Sequence, residues 1–214
     1  TSILVVATVG SRRVPLRGID WIRIDGADGT LRALSRRREG FHQPVIFDVP
    51  GPGVRRRGSL LTTSEFLVFA AAEGFEWVNL RGTHDADDVL HAREFLPSSV
   101  RVSVTLDSQR AIRVGLERLC TVCDAVFFDR RALRPSIGSR RADALISAAV
   151  RHATERGTPT LLGSEVMPSM RRSDGPAHRD MDRLTDLIDD GLRGMVLTAE
   201  ELATGDPQDR VDVA

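Results

Sequence analysis

Residues 77–105 read Trp77-Val78-Asn79-Leu80-Arg81-Gly82-Thr83-His84-Asp85-Ala86-Asp87-Asp88-Val89-Leu90-His91-Ala92-Arg93-Glu94-Phe95-Leu96-Pro97-Ser98-Ser99-Val100-Arg101-Val102-Ser103-Val104-Thr105. Trp77–Leu80 and Val102–Thr105 are short apolar runs of the kind a strand buried on both faces presents. Ala86–Phe95 between them alternates apolar and charged residues at helical spacing. A strand, a helix and a second strand in so short a span make a parallel βαβ unit. The same alternation runs outward in both directions. Apolar runs recur at Ile3–Thr8, Trp21–Ile24, Pro44–Phe47, Ala125–Phe128, Thr160–Leu162 and Met195–Leu197, which brings the strands to eight. Helices are expected at Thr30–Glu39, Ser64–Glu73, Gln109–Leu119, Arg140–Arg156 and Asp182–Asp190. Eight such units close an α/β TIM (β/α)8 barrel, expected here as a single domain over residues 1–214.

The first connection is abnormal. Only Gly10–Gly18, interrupted by Pro15, separate the first two strands. That is too short for a crossover helix, so the barrel is expected to lack its first outer helix. The bare face over strands one and two would then be covered by a second copy in a homo-oligomer, by a partner subunit, or by another part of the chain.

Composition removes several mechanisms. Among 214 residues all 30 basic groups are arginine, and there is neither lysine nor tyrosine. No Schiff base can form on a side-chain amine, which excludes lysine-dependent aldolases and pyridoxal-phosphate (PLP) enzymes. No Walker lysine can reach a nucleotide phosphate. Arginine stays protonated and cannot act as a general base. These exclusions hold whatever the cause of the missing lysine, codon bias in a GC-rich genome among them. The 30 acidic residues balance the charge to zero, which is no nucleic-acid footprint despite the clusters Arg36–Arg38 and Arg55–Arg57. No apolar run has the length of a membrane span. The opening Thr1-Ser2-Ile3-Leu4-Val5-Val6-Ala7 carries no basic region before its apolar run, so no signal peptide and a cytoplasmic location are expected. Cys120 and Cys123 form a lone Cys-x-x-Cys that closes a helix and lacks a second ligand pair, and it reads as structural thiols rather than a zinc or redox site.

In barrels of this class the chemistry sits where strands end. The polar residues there are Thr8, Arg23 with Asp25, Asp48, Arg81 with His84, Thr105 with Asp107, Asp129, Ser164 with Glu165, and Thr198 with Glu200. Acids and arginines together suit a small anionic metabolite, or a divalent metal (Mg2+ or Mn2+) held by Asp107 with Asp129 or Glu165. The same residues also suit internal ion pairs, Arg23 with Asp48 for example.

These segments resemble the catalytic barrel of the pyruvate kinase family. Val6-Ala7-Thr8-Val9-Gly10 looks like its first strand, and Trp21-Ile22-Arg23-Ile24-Asp25-Gly26-Ala27-Asp28-Gly29 is similar to its Arg-x-Asn-x-Ser-His-Gly segment. Phe47-Asp48-Val49-Pro50-Gly51-Pro52-Gly53-Val54-Arg55 resembles Asp-Thr-Lys-Gly-Pro-Glu-Ile-Arg, and Leu61-Thr62-Thr63-Ser64-Glu65 resembles the segment after the family's lid domain. Val196-Leu197-Thr198-Ala199-Glu200, with Gly205-Asp206-Pro207, is similar to its Met-Leu-Ser-Gly-Glu-Thr end.

The departures from the family pattern are as informative. Five residues stand between Arg55 and Leu61 where the family carries its lid, and no C-terminal regulatory domain is expected. The resemblance places Thr105 at the family's catalytic lysine and Asp107 at its metal-binding glutamate. It places Ala132 at the second metal carboxylate, Arg131 at the glycine whose amide receives the substrate carboxylate, and Ser164 at the threonine near the reacting carbon. Asp25 and Ala27 replace its potassium-site asparagine and serine.

The expectation is a diverged barrel enzyme of biosynthetic type that forms no ATP from phosphoenolpyruvate. It would act on a carboxylated or oxo-acid metabolite by metal-assisted enolate chemistry of lyase or decarboxylase type. Arg23, Ser164, Glu165 and His84 are its catalytic candidates, Arg55, Arg81, Asp48 and Thr105 its substrate-binding candidates, and Asp107 and Asp129 its metal candidates. Two alternatives stand beside it. One is a non-catalytic pseudoenzyme that binds a metabolite or a partner subunit. The other is a metal-free cyclase or isomerase whose mouth Phe127, Phe128, Met167 and Met170 help to line, although both phenylalanines also suit core packing.

Overall fold

The computed structural model describes residues 3–9, 18–26, 30–50, 62–83, 85–171 and 177–198. Its strands are β1 (Leu4–Val9), β2 (Trp21–Asp25), β3 (Val45–Pro50), β4 (Trp77–Arg81), β5 (Arg101–Leu106), β6 (Ala125–Asp129), β7 (Thr160–Gly163) and β8 (Gly194–Leu197). They form a closed barrel in sequence order. All neighbours are parallel, and β8 closes on β1 with Gly194 beside Leu4 and Leu197 beside Ala7. The chain is a TIM-type α/β barrel, as its βαβ alternation requires.

The helices are α1 (Leu31–Glu39), α2 (Thr63–Ala72), α3 (Ala86–Phe95), α4 (Leu116–Leu119), α5 (Arg130–Ile137), α6 (Ser139–Glu155) and α7 (His178–Asp189). Their starts follow local chemistry. Thr62 opens α2 with a capping box: its hydroxyl accepts from the Glu65 N–H at 3.3 Å, and Glu65 accepts from the Thr62 N–H at 2.6 Å. The helix expected over Gln109–Leu119 instead enters through a π-helical turn, Ala111–Gly115, before the single turn of α4. Helix α5 was not expected. Pro135 lies inside it and hides it from a propensity reading, while Asp129 caps its start with a hydrogen bond of 3.1 Å to the Ala132 N–H. Gly138, at φ 78°, ends α5 and turns the chain directly into α6. Residues 10–17, on which the expectation of a missing first outer helix rests, lie outside the described residues.

Strand alternation sorts the side chains into two cores. One lies between barrel and helices, where Phe47 stacks on Phe75 with ring centroids 4.7 Å apart. The other fills the lower lumen with Val6, Ile46, Trp77, Ala125, Phe127, Leu161 and Val196, and Trp21 meets Trp77 edge-on at 5.1 Å. Each of these large side chains contributes on the order of 1.5–3 kcal/mol by leaving water. Phe127 thus belongs to the lumen floor and Phe128 to the outer core, so packing is the role of both. Above the apolar floor the lumen turns polar.

Cys120 caps α4 and both cysteines are free thiols. Burial, with Cys120 and Asp124 nearby, pushes the Cys123 thiol up to about 12. Burial also raises Cys120, against the Thr158 hydrogen bond and the charge of Arg156. Neither is poised as a thiolate, consistent with structural thiols. Among the described residues no helix is long and apolar enough to cross a membrane.

Candidate functional site

The polar layer above the lumen floor is one connected network. Arg23 of β2 is 8% exposed and grips Asp48 of β3, with Nε on Oδ1 at 2.8 Å and Nη2 on Oδ2 at 2.6 Å. Its guanidinium also lies 5.5 Å from the Phe127 ring centroid, a cation–π contact that keeps an apolar wall beside the charge. Asn79 of β4 donates through Nδ2 to Asp48 and to the Thr105 hydroxyl, both at 2.8 Å. Its Oδ1 accepts from Ser103 at 3.0 Å, and Ser103 in turn accepts from the Trp77 indole at 2.8 Å. Asn79 is fully buried at the centre of this web. Asn79 is not among the residues expected at the site, although a lone asparagine in the apolar run Trp77–Leu80 marks it in the sequence.

Nearer solvent the mouth is acidic around the Arg81 guanidinium. Arg81, at the end of β4, donates to Asp25 at 2.7 Å. Burial works against its charge, but Asp48, Asp25, Asp129 and Asp107 outweigh that and raise it above its ordinary value. Arg81 is the organic cation around which four mouth carboxylates are arranged. Gly26 brings β2 and β3 together here, its N–H on the Asp48 carbonyl at 3.0 Å. A Cβ at Gly26 would come within 2.6 Å of that oxygen, so no other residue fits.

The exits of β6 and β7 split their side chains between two sides. Ser164 and Glu165 both adopt left-handed backbone, at φ 52° and 50°, a conformation costly for residues with a Cβ. This turn aims the Ser164 hydroxyl at Asp129, to which it donates a short hydrogen bond, while the Arg131 N–H reaches Ser164 at 3.4 Å. Glu165 goes the other way. Its buried carboxylate lies 3.1 Å from Arg134 and 3.5 Å from Arg130, between α5 and α7.

The structure therefore gathers Arg23, Asp48, Thr105, Arg81, Asp107, Asp129 and Ser164 at the mouth or just beneath it. Glu165 does not join them. Among the described residues no three acids, histidines or cysteines come together as a metal cluster, so Asp107, Asp129 and Glu165 do not converge. Asp107 and Asp129 remain as two carboxylates within electrostatic range of Arg81. His84 and Arg55 lie outside the described residues.

Fold and site define a TIM-type barrel with an arginine-centred acidic mouth built on a buried Arg–Asp–Asn network. In sequence the chain is similar to pyruvate kinases. It is 20% identical to the enzyme of Sporosarcina psychrophila over 183 residues, 84% of this chain and 31% of that one. It is 20% identical to that of Bacillus licheniformis over 168 residues, 77% of this chain and 28% of that one. It is 22% identical to that of Agrobacterium vitis over 206 residues, 91% of this chain and 43% of that one. No family model matches. The chain spans about a third of the length of the first of these relatives (31%). The chain is thus a TIM-type barrel similar in sequence to pyruvate kinases.

Proposed function

We propose that the barrel mouth binds a small carboxylated or oxo-acid metabolite and moves a proton next to its carboxylate, the enolate-forming half of pyruvate-kinase-type chemistry, without forming ATP. The observation that carries this reading is the Ser164–Asp129 pair. Two successive left-handed residues hold a hydroxyl against a carboxylate within electrostatic range of Arg81. Strain of that kind persists where the surroundings enforce it, and it concentrates at working sites.

In this reading Arg81 exchanges part of its contact with Asp25 for the substrate carboxylate, a bidentate partner for its fork. The Ser164 hydroxyl faces the reacting carbon and passes its proton relay to Asp129. Arg23, Asp48, Asn79 and Thr105 form the rigid floor that fixes Arg81 and the strand ends in register. The two carboxylates Asp107 and Asp129 are a sufficient protein share for Mg2+ or Mn2+, since magnesium takes one or two carboxylates with water and substrate. Such an ion would supply charge stabilisation to an enolate oxygen. The absence of a lysine at Thr105 and the five residues in place of a lid support a chain that does not transfer phosphoryl groups.

A non-catalytic binding protein is the second reading. It is favoured by the ion pairs Arg23–Asp48 and Arg81–Asp25, because an incoming anion must displace a carboxylate from either arginine. Thermal unfolding with a panel of oxo-acids, with and without Mn2+, followed by product analysis separates the two. Stabilisation with turnover supports the enzyme, stabilisation without turnover the binding protein, and no stabilisation by any oxo-acid contradicts the enzyme, with a stable hetero-complex then favouring a partner-binding protein.

A further inference from the structure

A second charged centre lies on the outer side of the β6 and β7 exits. A groove of about 800 Å3 runs between α5, α6 and α7. Arg130, Arg134, Arg140, Arg179 and Arg183 line it, and its acids are Asp143, Glu165 and Asp180. Among the described residues, five guanidinium groups thus face three carboxylates, an excess of two positive charges.

The three carboxylates are already engaged. Asp143 holds Arg130 through contacts of 2.6 and 3.1 Å. Glu165 is shared by Arg134 and Arg130. Asp180 accepts the N–H and the hydroxyl of Ser169, at 2.9 and 2.6 Å. Arg183 donates to the carbonyl of Val166, while its buried Nη1 forms no hydrogen bond among the described residues and lies 3.7 Å from Asp143 as a longer ion pair. Donors therefore outnumber acceptors. Burial and the adjacent charge of Arg130 lower the Arg183 guanidinium from its ordinary value, although Asp143 and Asp180 oppose them. At the rim, Arg140 and Arg179 are exposed and form no ion pair among the described residues.

We infer that this groove binds a phosphate monoester. A phosphate group carries close to the two negative charges that balance the groove, and its several acceptor oxygens suit guanidinium forks. The volume is that of a small-metabolite pocket rather than of a bare ion. Rim arginines Arg140 and Arg179 take the phosphate, with Arg134 beside them, and the buried Arg130 and Arg183 set the positive field behind it. The site is separate from the mouth. At the β6 exit Asp129 turns to the mouth and Arg130 to the groove, and at the β7 exit Ser164 and Glu165 divide the same way.

The test uses glycerol 2-phosphate and inorganic phosphate as probes against chloride at equal ionic strength. The readouts are the melting temperature and the 31P linewidth. The expected result is a saturable rise in melting temperature and a broadened 31P signal with glycerol 2-phosphate, and a weaker response with inorganic phosphate. The double variant R140A/R179A, which removes only exposed side chains without an ion pair among the described residues, should weaken binding at least tenfold. Arg81→Gln, altered at the mouth alone, should leave it unchanged. An equal response to chloride, an unchanged response in the double variant, or loss of the response in Arg81→Gln would overturn the inference. So would sedimentation showing a phosphate-insensitive dimer that R140A/R179A dissolves, since a second copy would then occupy the groove.

Discussion

Arg23 reaches into the barrel lumen and closes on both carboxylate oxygens of Asp48, at 2.8 and 2.6 Å. Both side chains are nearly sealed from water, so each is tolerable only because of the other. Asp48→Ala would strand the guanidinium over Phe127 and is expected to cost about 3–5 kcal/mol. Replacing both, as R23M/D48L, restores an apolar match and should cost clearly less than Asp48→Ala alone. Urea unfolding of the two variants decides. If the double variant is the less stable, the pair contributes beyond mutual neutralisation.

Asn79 joins that pair to Thr105 and Ser103. Asn79→Ala leaves several buried groups without a partner, for a cost of about 2–4 kcal/mol. Asn79→Asp adds a charge next to Asp48 and should be worse. Equal stability of Asn79→Ala and the wild type would remove the network from the account of the floor.

Ser164 stands at φ 52°, and its hydroxyl meets Asp129. Ser164→Ala and Ser164→Gly both lose that hydroxyl, but glycine alone relieves the backbone. The glycine variant should exceed the alanine variant in stability by about 1 kcal/mol. Both should lose turnover of the oxo-acid substrate by at least about tenfold, within the range of a lost general acid–base element. Retained turnover in either would take Ser164 out of the chemistry.

Asp190 ties the end of α7 to α6 through Ser147 and Arg151, at 2.5 and 2.9 Å. Burial opposes its charge, but the hydrogen bonds from Ser147 and Arg151 outweigh that and lower it below the usual aspartate value. A carboxylate held low in the folded state stabilises fully above its unfolded value of about 3.9. That contribution is lost as pH falls below it and through the folded value. Asp190→Asn should therefore lower stability at pH 7 and narrow its gap to wild type as the pH falls below about 4. A gap that stays constant over that window would assign the effect to packing.

The barrel was legible because eight apolar runs at regular spacing leave few other closures. Each strand matches its run to within a few residues, and β3 extends its run to Pro50. Helix α5 was not legible, since Pro135 and the family-like segment Asp129–Arg134 both argue for loop. Pattern reading also points to residues at strand ends, because these are marked by the change from apolar to polar. It misplaced Glu165, because one left-handed turn reverses the side on which a side chain emerges, and spacing carries no trace of that. The arginine groove escaped for a related reason. Its members come from α5, α6 and α7 and are far apart in sequence, so only packing reveals that they share one pocket.

Thermal unfolding of wild type and Arg81→Gln with pyruvate and related oxo-acids, with Mn2+ present and absent, tests the role of the mouth most directly. A ligand at one hundred times its Kd adds about 2.7 kcal/mol. For a chain of this length that is a rise of roughly 5–10 °C in Tm. At least one oxo-acid should raise the wild-type Tm in that range, Arg81→Gln should abolish the rise, and a coupled assay should show no ATP from phosphoenolpyruvate and ADP. A flat wild-type response to every oxo-acid, or ATP formation at ordinary kinase rates of about 1–100 per second, would contradict the proposed function.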